Sequence, residues 1–131
     1  MPTTKDLLNN STVKSMICPR VGTTGLAVTG TSIDMNGIGR KILVIAHACN
    51  PSSTTTLEVS VQECTTTGFG VPVTLHNFAT LDILKNGSTI AVADLAPNLR
   101  FVRAVATLGL YTLALSVVGV IYLERARPSG L

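Results

Sequence analysis

The chain has 131 residues, 46% of them hydrophobic and only 13% charged, with a formal net charge of +3 and a pI near 9.0. That length supports one core and not two, and the charged share is about half that of an ordinary globular chain, so some apolar surface is expected to be covered by other chains. The basic residues are scattered rather than clustered among aromatics, which excludes the usual nucleic-acid footprint.

Residues 1–10 are polar and lack the apolar segment of a signal peptide. Residues 1–25 show no sustained periodicity and are punctuated by Asn9, Asn10, Ser11, Pro19, Gly22 and Gly25. They read as an extended N-terminal arm, with a short helical turn around Lys5 to Leu8, of the kind that docks on a neighbour. Strand signals begin at Leu26 and run through Val28 and Gly30 to Ile33 and Asp34, with Asn36-Gly37 as a turn. Residues 41–49 (KILVIAHAC) are an almost continuous apolar run, the pattern of a strand covered on both faces. Within it, His47 reads as a hydrogen-bonded core residue.

After the loop Asn50-Pro51-Ser52-Ser53, residues 56–64 (TLEVSVQEC) alternate, with Leu57, Val59 and Val61 inward and Glu58, Ser60 and Gln62 outward. Residues 65–70 turn the chain around Phe69, and residues 71–78 form a strand that Pro72 confines to an edge or a strand start. Lys85-Asn86-Gly87 is a further turn. Residues 88–95 alternate Ile90, Val92 and Asp94 against Thr89, Ala91 and Ala93, before Ala96-Pro97-Asn98 breaks the chain.

Residues 104–123 (AVATLGLYTLALSVVGVIYL) carry no charge over twenty positions, long enough to cross a bilayer as a helix. Thr107, Gly109, Tyr111, Thr112, Ser116 and Gly119 interrupt that reading. Leu113, Leu115, Val117, Gly119, Ile121 and Leu123 fall at period two, and β-branched residues are frequent after Ser116. The stretch is therefore expected to be the end of one strand and the whole of another, joined as a closing hairpin by a turn at Gly109.

About seven to eight strands separated by Gly, Pro and Asn turns indicate an all-β chain, an antiparallel β-sandwich or jelly roll. Its expected organisation is an arm (1–25), a sandwich domain (26–124) and a C-terminal tail (125–131). Three cysteines without CxxC spacing, Cys18, Cys49 and Cys64, read as buried free thiols rather than a disulfide framework. His47 and His76 lack the spacing of a metal site. Glu58 and Glu63 fall on opposite strand faces and cannot act as a carboxylate pair. No nucleophile elbow or phosphate-cradling loop is present. An enzyme is not expected.

Residues 94–107 (DLAPNLRFVRAVAT) contain a Leu99-Arg100-Phe101-Val102-Arg103 strand start. Together with Ile33-Asp34-Met35-Asn36-Gly37, Leu43-Val44-Ile45 and the alternating strand at 57–63, this pattern resembles small virion proteins of tailed bacteriophages. The resemblance implies a β-sandwich that decorates or cements the capsid at junctions of the major capsid protein, as a homo-oligomer such as a dimer or trimer. It implies a place on the virion surface after synthesis in the host cytoplasm. No cofactor, catalytic group, metal, nucleic acid, membrane or small-molecule substrate is expected. A head–tail or tail component is the second reading, and a single-pass membrane protein anchored by residues 104–123 the third. Arg100 and Arg103 are expected as a structural anchor and a surface group. Capsid or subunit contact is expected from Lys5, Leu7, Leu8 and Arg20 in the arm and Arg125 and Arg127 in the tail.

Overall fold

Period-two alternation resolves into ten strands in a computed structural model that describes residues 11–22, 27–35, 40–109 and 111–123. In chain order they are β1 (Ser11–Gly22), β2 (Ala27–Thr29), β3 (Ile33–Asp34), β4 (Arg40–Cys49), β5 (Thr55–Cys64), β6 (Val73–Asn77), β7 (Leu81–Ile83), β8 (Ser88–Leu95), β9 (Phe101–Leu108) and β10 (Leu113–Leu123). One sheet has the order β1-β10-β4-β8. In the other, β9 and β5 are central, β2 and β3 both pair with β9, and β6 and β7 both pair with β5. Every pairing is antiparallel.

If each pair of short strands is counted as one broken strand, eight remain, and they nest. The first pairs with the last (β1 with β10), the second with the seventh (β2 and β3 with β9), the third with the sixth (β4 with β8), and the fourth with the fifth (β5 with β6 and β7). A long hairpin rolled up so that its successive strand pairs alternate between two sheets is a jelly roll. The chain is an all-β antiparallel sandwich, as the strand periodicity indicates.

The core lies between the sheets. From the first sheet come Ile42, Val44, Ala46 and Ala48 of β4 and Leu113, Leu115, Val117 and Ile121 of β10. From the second come Leu57, Val59 and Val61 of β5 and Val102, Ala104, Ala106 and Leu108 of β9. The sheets are tied at one corner by Gly30, between β2 and β3. Its N–H donates to the Ala104 carbonyl at 2.7 Å, and the Thr31 N–H donates to the Met16 carbonyl at 2.9 Å. Met16 sits at the register shift between Ser15 and Ile17 in β1, where a bulge releases its carbonyl from the ladder with β10. A Cβ at Gly30 would collide with that carbonyl, so the corner requires glycine.

Two expectations are corrected. Part of the stretch read as an arm, Ser11–Gly22, is a twelve-residue strand paired with β10. Its two bulges break the alternation by which a strand is recognised. Residues 1–10 and 124–131 lie outside the described residues. Next, β9 and β10 are indeed strands, but they are not a hairpin: each is flanked on both sides within a different sheet. The Gly109 N–H donates to the Thr56 carbonyl at 2.9 Å, and a Cβ there would come within 2.8 Å of the Thr56 hydroxyl oxygen, so glycine serves close approach to β5. The division of residues 104–123 between two strands is as their periodicity indicates. No helix among the described residues is long and apolar enough to cross a membrane.

Two polar contacts fix the approach to β9. Glu63 is only 5% exposed, and its Oε2 accepts from the backbone N–H groups of Asn98 (2.9 Å) and Leu99 (3.2 Å) in the β8–β9 connection. Arg100 forks onto Asp34 with Nε–Oδ1 2.9 Å and Nη2–Oδ2 2.8 Å, joining β3 to β9 in an exposed setting. Exposed ion pairs contribute about 0–1 kcal/mol, whereas buried groups deprived of a partner cost about 1–3 kcal/mol. Glu63 is therefore the stronger tie. Glu63→Ala is expected to lower unfolding free energy by about 1–3 kcal/mol in chemical denaturation, and Glu63→Gln, which retains an acceptor, by less. Equal stability of Glu63→Ala and wild type would refute this role.

Candidate interaction surfaces

The two outer faces of the sandwich differ in chemistry. On the six-stranded sheet the outward rows are Glu58–Thr107–Ala27, Ser60–Val105–Thr29 and Gln62–Arg103, mostly polar. Arg103 donates from Nε to Gln62 Oε1 at 2.9 Å and lies 4.3 Å over the Phe69 ring centroid. Phe69 adopts φ 49 and is buried. An aromatic residue seldom takes that conformation, and the 65–70 turn holds it there to seat the ring beneath the guanidinium. A shallow open groove of about 340 Å³ crosses this face, lined by Glu58, Ser60, Asn77, Phe78, Thr80 and Thr107 among others. It offers one carboxyl group, hydroxyls and one ring.

The four-stranded sheet is apolar on its outside as well as its inside. Because Ile42, Val44, Ala46 and Ala48 face the core, their neighbours Leu43, Ile45 and His47 face outward. In register, the outward rows are Val13–Val120–Leu43–Asp94, Ser15–Val118–Ile45–Val92 and Ser116–His47–Ile90. Val13, Ile90 and Val92 are 66%, 63% and 56% exposed. The outward side of a two-layer sandwich normally carries polar residues, so this face departs from the usual pattern.

One end of the face is closed by a polar cluster. Tyr122 donates its hydroxyl proton to the Asp94 carboxyl, 2.7 Å and 2.8 Å from its two oxygens, and Lys41 Nζ lies 3.1 Å from Oδ2. Desolvation would raise the Asp94 pKa, but the bond from Tyr122 and the bond and charge of Lys41 together hold it below its ordinary value. Tyr122 is pushed upward, first by desolvation and then by the hydrogen bond and charge of Asp94.

The structure places only one of the expected contact residues, Arg20, which is exposed on β1. Lys5, Leu7, Leu8, Arg125 and Arg127 lie outside the described residues. His47 is half-buried on the outward face rather than in the core, because it is in phase with Leu43 and Ile45. Of the cysteines only Cys64 is buried; Cys18 is exposed and Cys49 intermediate, and all three are free. The Cys64 thiol is lowered from its ordinary pKa chiefly by the backbone hydrogen bond of Thr66, against the opposing effect of burial. Among the described residues, no group of three His, Cys, Asp or Glu side chains could hold a metal ion.

No family model matches the sequence, and no curated protein is similar to it at the sequence level. Solved structures do share its fold. The PBSX exported protein XepA superposes with a TM-score of 0.64 at 13% identity, over 100% of this chain and 43% of its own. A chain from the structure of infectious bursal disease virus, Gx strain, superposes with a TM-score of 0.64 at 7% identity, over 90% of this chain and 34% of its own. The protein thus spans less than half the length of either chain, and identities this low establish the sandwich architecture alone.

The depressed Asp94 pKa has a defined sign. Its contribution to stability is present above the unfolded-state pKa and is lost as pH falls through the lower folded-state value. Replacing Tyr122 by Phe removes a hydrogen bond to the charged form, so the Asp94 carboxyl should titrate at higher pH in Tyr122→Phe, as followed by NMR of the side-chain carboxyl carbon. An unmoved midpoint would show that the tyrosine does not hold the carboxylate.

Proposed function

We propose that the protein is a virion structural protein that decorates or cements a phage capsid, binding the lattice of the major capsid protein and further copies of itself. The observation that carries this reading is the apolar outer face of the four-stranded sheet, on a stiff sandwich whose fold recurs in the viral structure described above. Such a role needs no catalytic constellation. It needs a rigid body, an uncharged contact face and repetition. A specific contact buries about 800 Å² per partner, and many copies on one shell add avidity to a modest single affinity. Contact by residues 1–10 and 124–131, including Lys5, Leu7, Leu8, Arg125 and Arg127, belongs to the same proposal, as does contact by Arg20, which is exposed on the edge strand β1.

The test uses capsids of the virus that encodes the chain, prepared without it and then incubated with purified protein. Co-sedimentation in proportion to the major capsid protein, with a raised temperature of capsid disruption, is the expected result. Binding at only a small, fixed number of copies per particle would instead favour a head–tail or tail component. Failure to bind any particle would overturn the virion reading. A variant lacking residues 1–10 is expected to occupy fewer sites, and full occupancy would remove those residues from the contact.

A further inference from the structure

Sheets in soluble proteins protect their edges, because an unpaired row of backbone N–H and C=O groups is a template for another strand. Three of the four edges in this sandwich are obstructed. β1 has register shifts after Ser15 and after Ile17, and carries Pro19 and Arg20. β2 and β3 are fragments of three and two residues. β6 follows Pro72 and meets a register shift between Val61 and Gln62. β8 is different. Its eight residues run in unbroken register with β4, without proline, glycine or a basic residue. Among the described residues, no strand lies on its far side.

We propose that β8 is a self-pairing edge, through which two copies of this chain join antiparallel about Ala91 and fuse their four-stranded sheets into one. The sequence of the strand, STIAVADL, is self-complementary about that residue. On the outward face, Ile90 meets the partner's Val92, and Val92 the partner's Ile90. On the inward face, Thr89 meets the partner's Ala93, and Ala91 the partner's Ala91. At each end the Ser88 hydroxyl faces the partner's Asp94, a donor opposite an acceptor. Moving the centre to Val92 would set the Asp94 carboxylate against Ile90, and moving it to Asp94 would set two carboxylates against each other. Both are unfavourable, and the register about Ala91 avoids both. The second copy satisfies the free backbone groups of the edge and covers the exposed flanks of Ile90 and Val92. It also extends the row Val118–Ile45–Val92 across the joint.

This inference deepens the self-association part of the proposed function and rests on it. The test is sedimentation equilibrium of the full chain across a concentration series, with circular dichroism confirming that each variant is folded. Wild type should associate in even-numbered assemblies. Ile90→Lys combined with Val92→Lys sets lysines opposite lysines at solvent-exposed positions and should weaken association by roughly tenfold or more. Ser88→Lys should tighten it at low salt, because the lysine faces the partner's Asp94 only in the register about Ala91. Wild-type association that the double lysine variant leaves unchanged would overturn edge pairing while leaving self-association intact. A Ser88→Lys variant no tighter than wild type would overturn the register. A chain that stays monomeric throughout would overturn both β8 pairing and the self-association it rests on, while capsid binding is judged separately by co-sedimentation.

Discussion

The contact between the inward faces of four central strands governs the rest of the molecule. β4 and β10 on one side and β5 and β9 on the other are each hydrogen-bonded along both edges, and nearly all of their inward side chains are buried. The middle of that contact is made of small residues, with Ala46, Ala48, Ala104 and Ala106 all at 0% exposure. Larger side chains such as Ile42, Leu57, Leu108 and Leu113 fill the remaining volume. A core of this kind is close-packed, so a single added or removed methylene is felt. The irregular features are displaced to the rim. The bulges of β1, the break between β2 and β3 and the glycine corner at Gly30 lie where a strand has only one neighbour or must bend toward the other sheet.

Most of the longer strands were legible in the sequence, whereas strand neighbours were not. The alternation of Leu57, Val59 and Val61 against Glu58, Ser60 and Gln62 survives intact as β5, and the run at residues 104–123 is correctly divided at Gly109. Yet period two reports only which residues share a face. It cannot tell a hairpin from two strands in facing sheets, since both bury the same side chains. The nested pairing of β10 with β1 and of β9 with β2 and β3 therefore had no local signature. β1 was hidden for a different reason: its bulges at Met16 and around Cys18 and Pro19 scramble the alternation.

The candidate surface was half legible. The run KILVIAHAC implies cover on both faces of β4, and the structure supplies inner cover only; Leu43, Ile45 and His47 form an outer face instead. In the middle of β8, Ile90 and Val92 point outward and Ala91 and Ala93 inward, the reverse of an ordinary half-buried strand, although Leu95 at its end packs against the core. Nothing in the alternation itself says which of two apolar faces meets the core. The sizes do: a narrow space beside Ala46 and Ala48 takes Ala91 and Thr89 across the sheet more readily than Ile90 and Val92.

Magnitudes then decide what kind of binding this face can support. Full burial of a Val or Ile side chain contributes about 1.5–3 kcal/mol, and Val13, Ile90 and Val92 each have between half and two-thirds of their surface still to bury. Together they offer roughly 3–6 kcal/mol. Association of two bodies costs about 4–15 kcal/mol in lost freedom. The apolar side chains alone therefore leave a contact close to balance, and backbone pairing along an open edge or repetition over a lattice must tip it. A weak, uncharged and repeatable contact is poorly suited to a soluble one-to-one complex. It is well suited to a component that assembles in many copies, where each contact is reversible enough to correct errors and the sum is not.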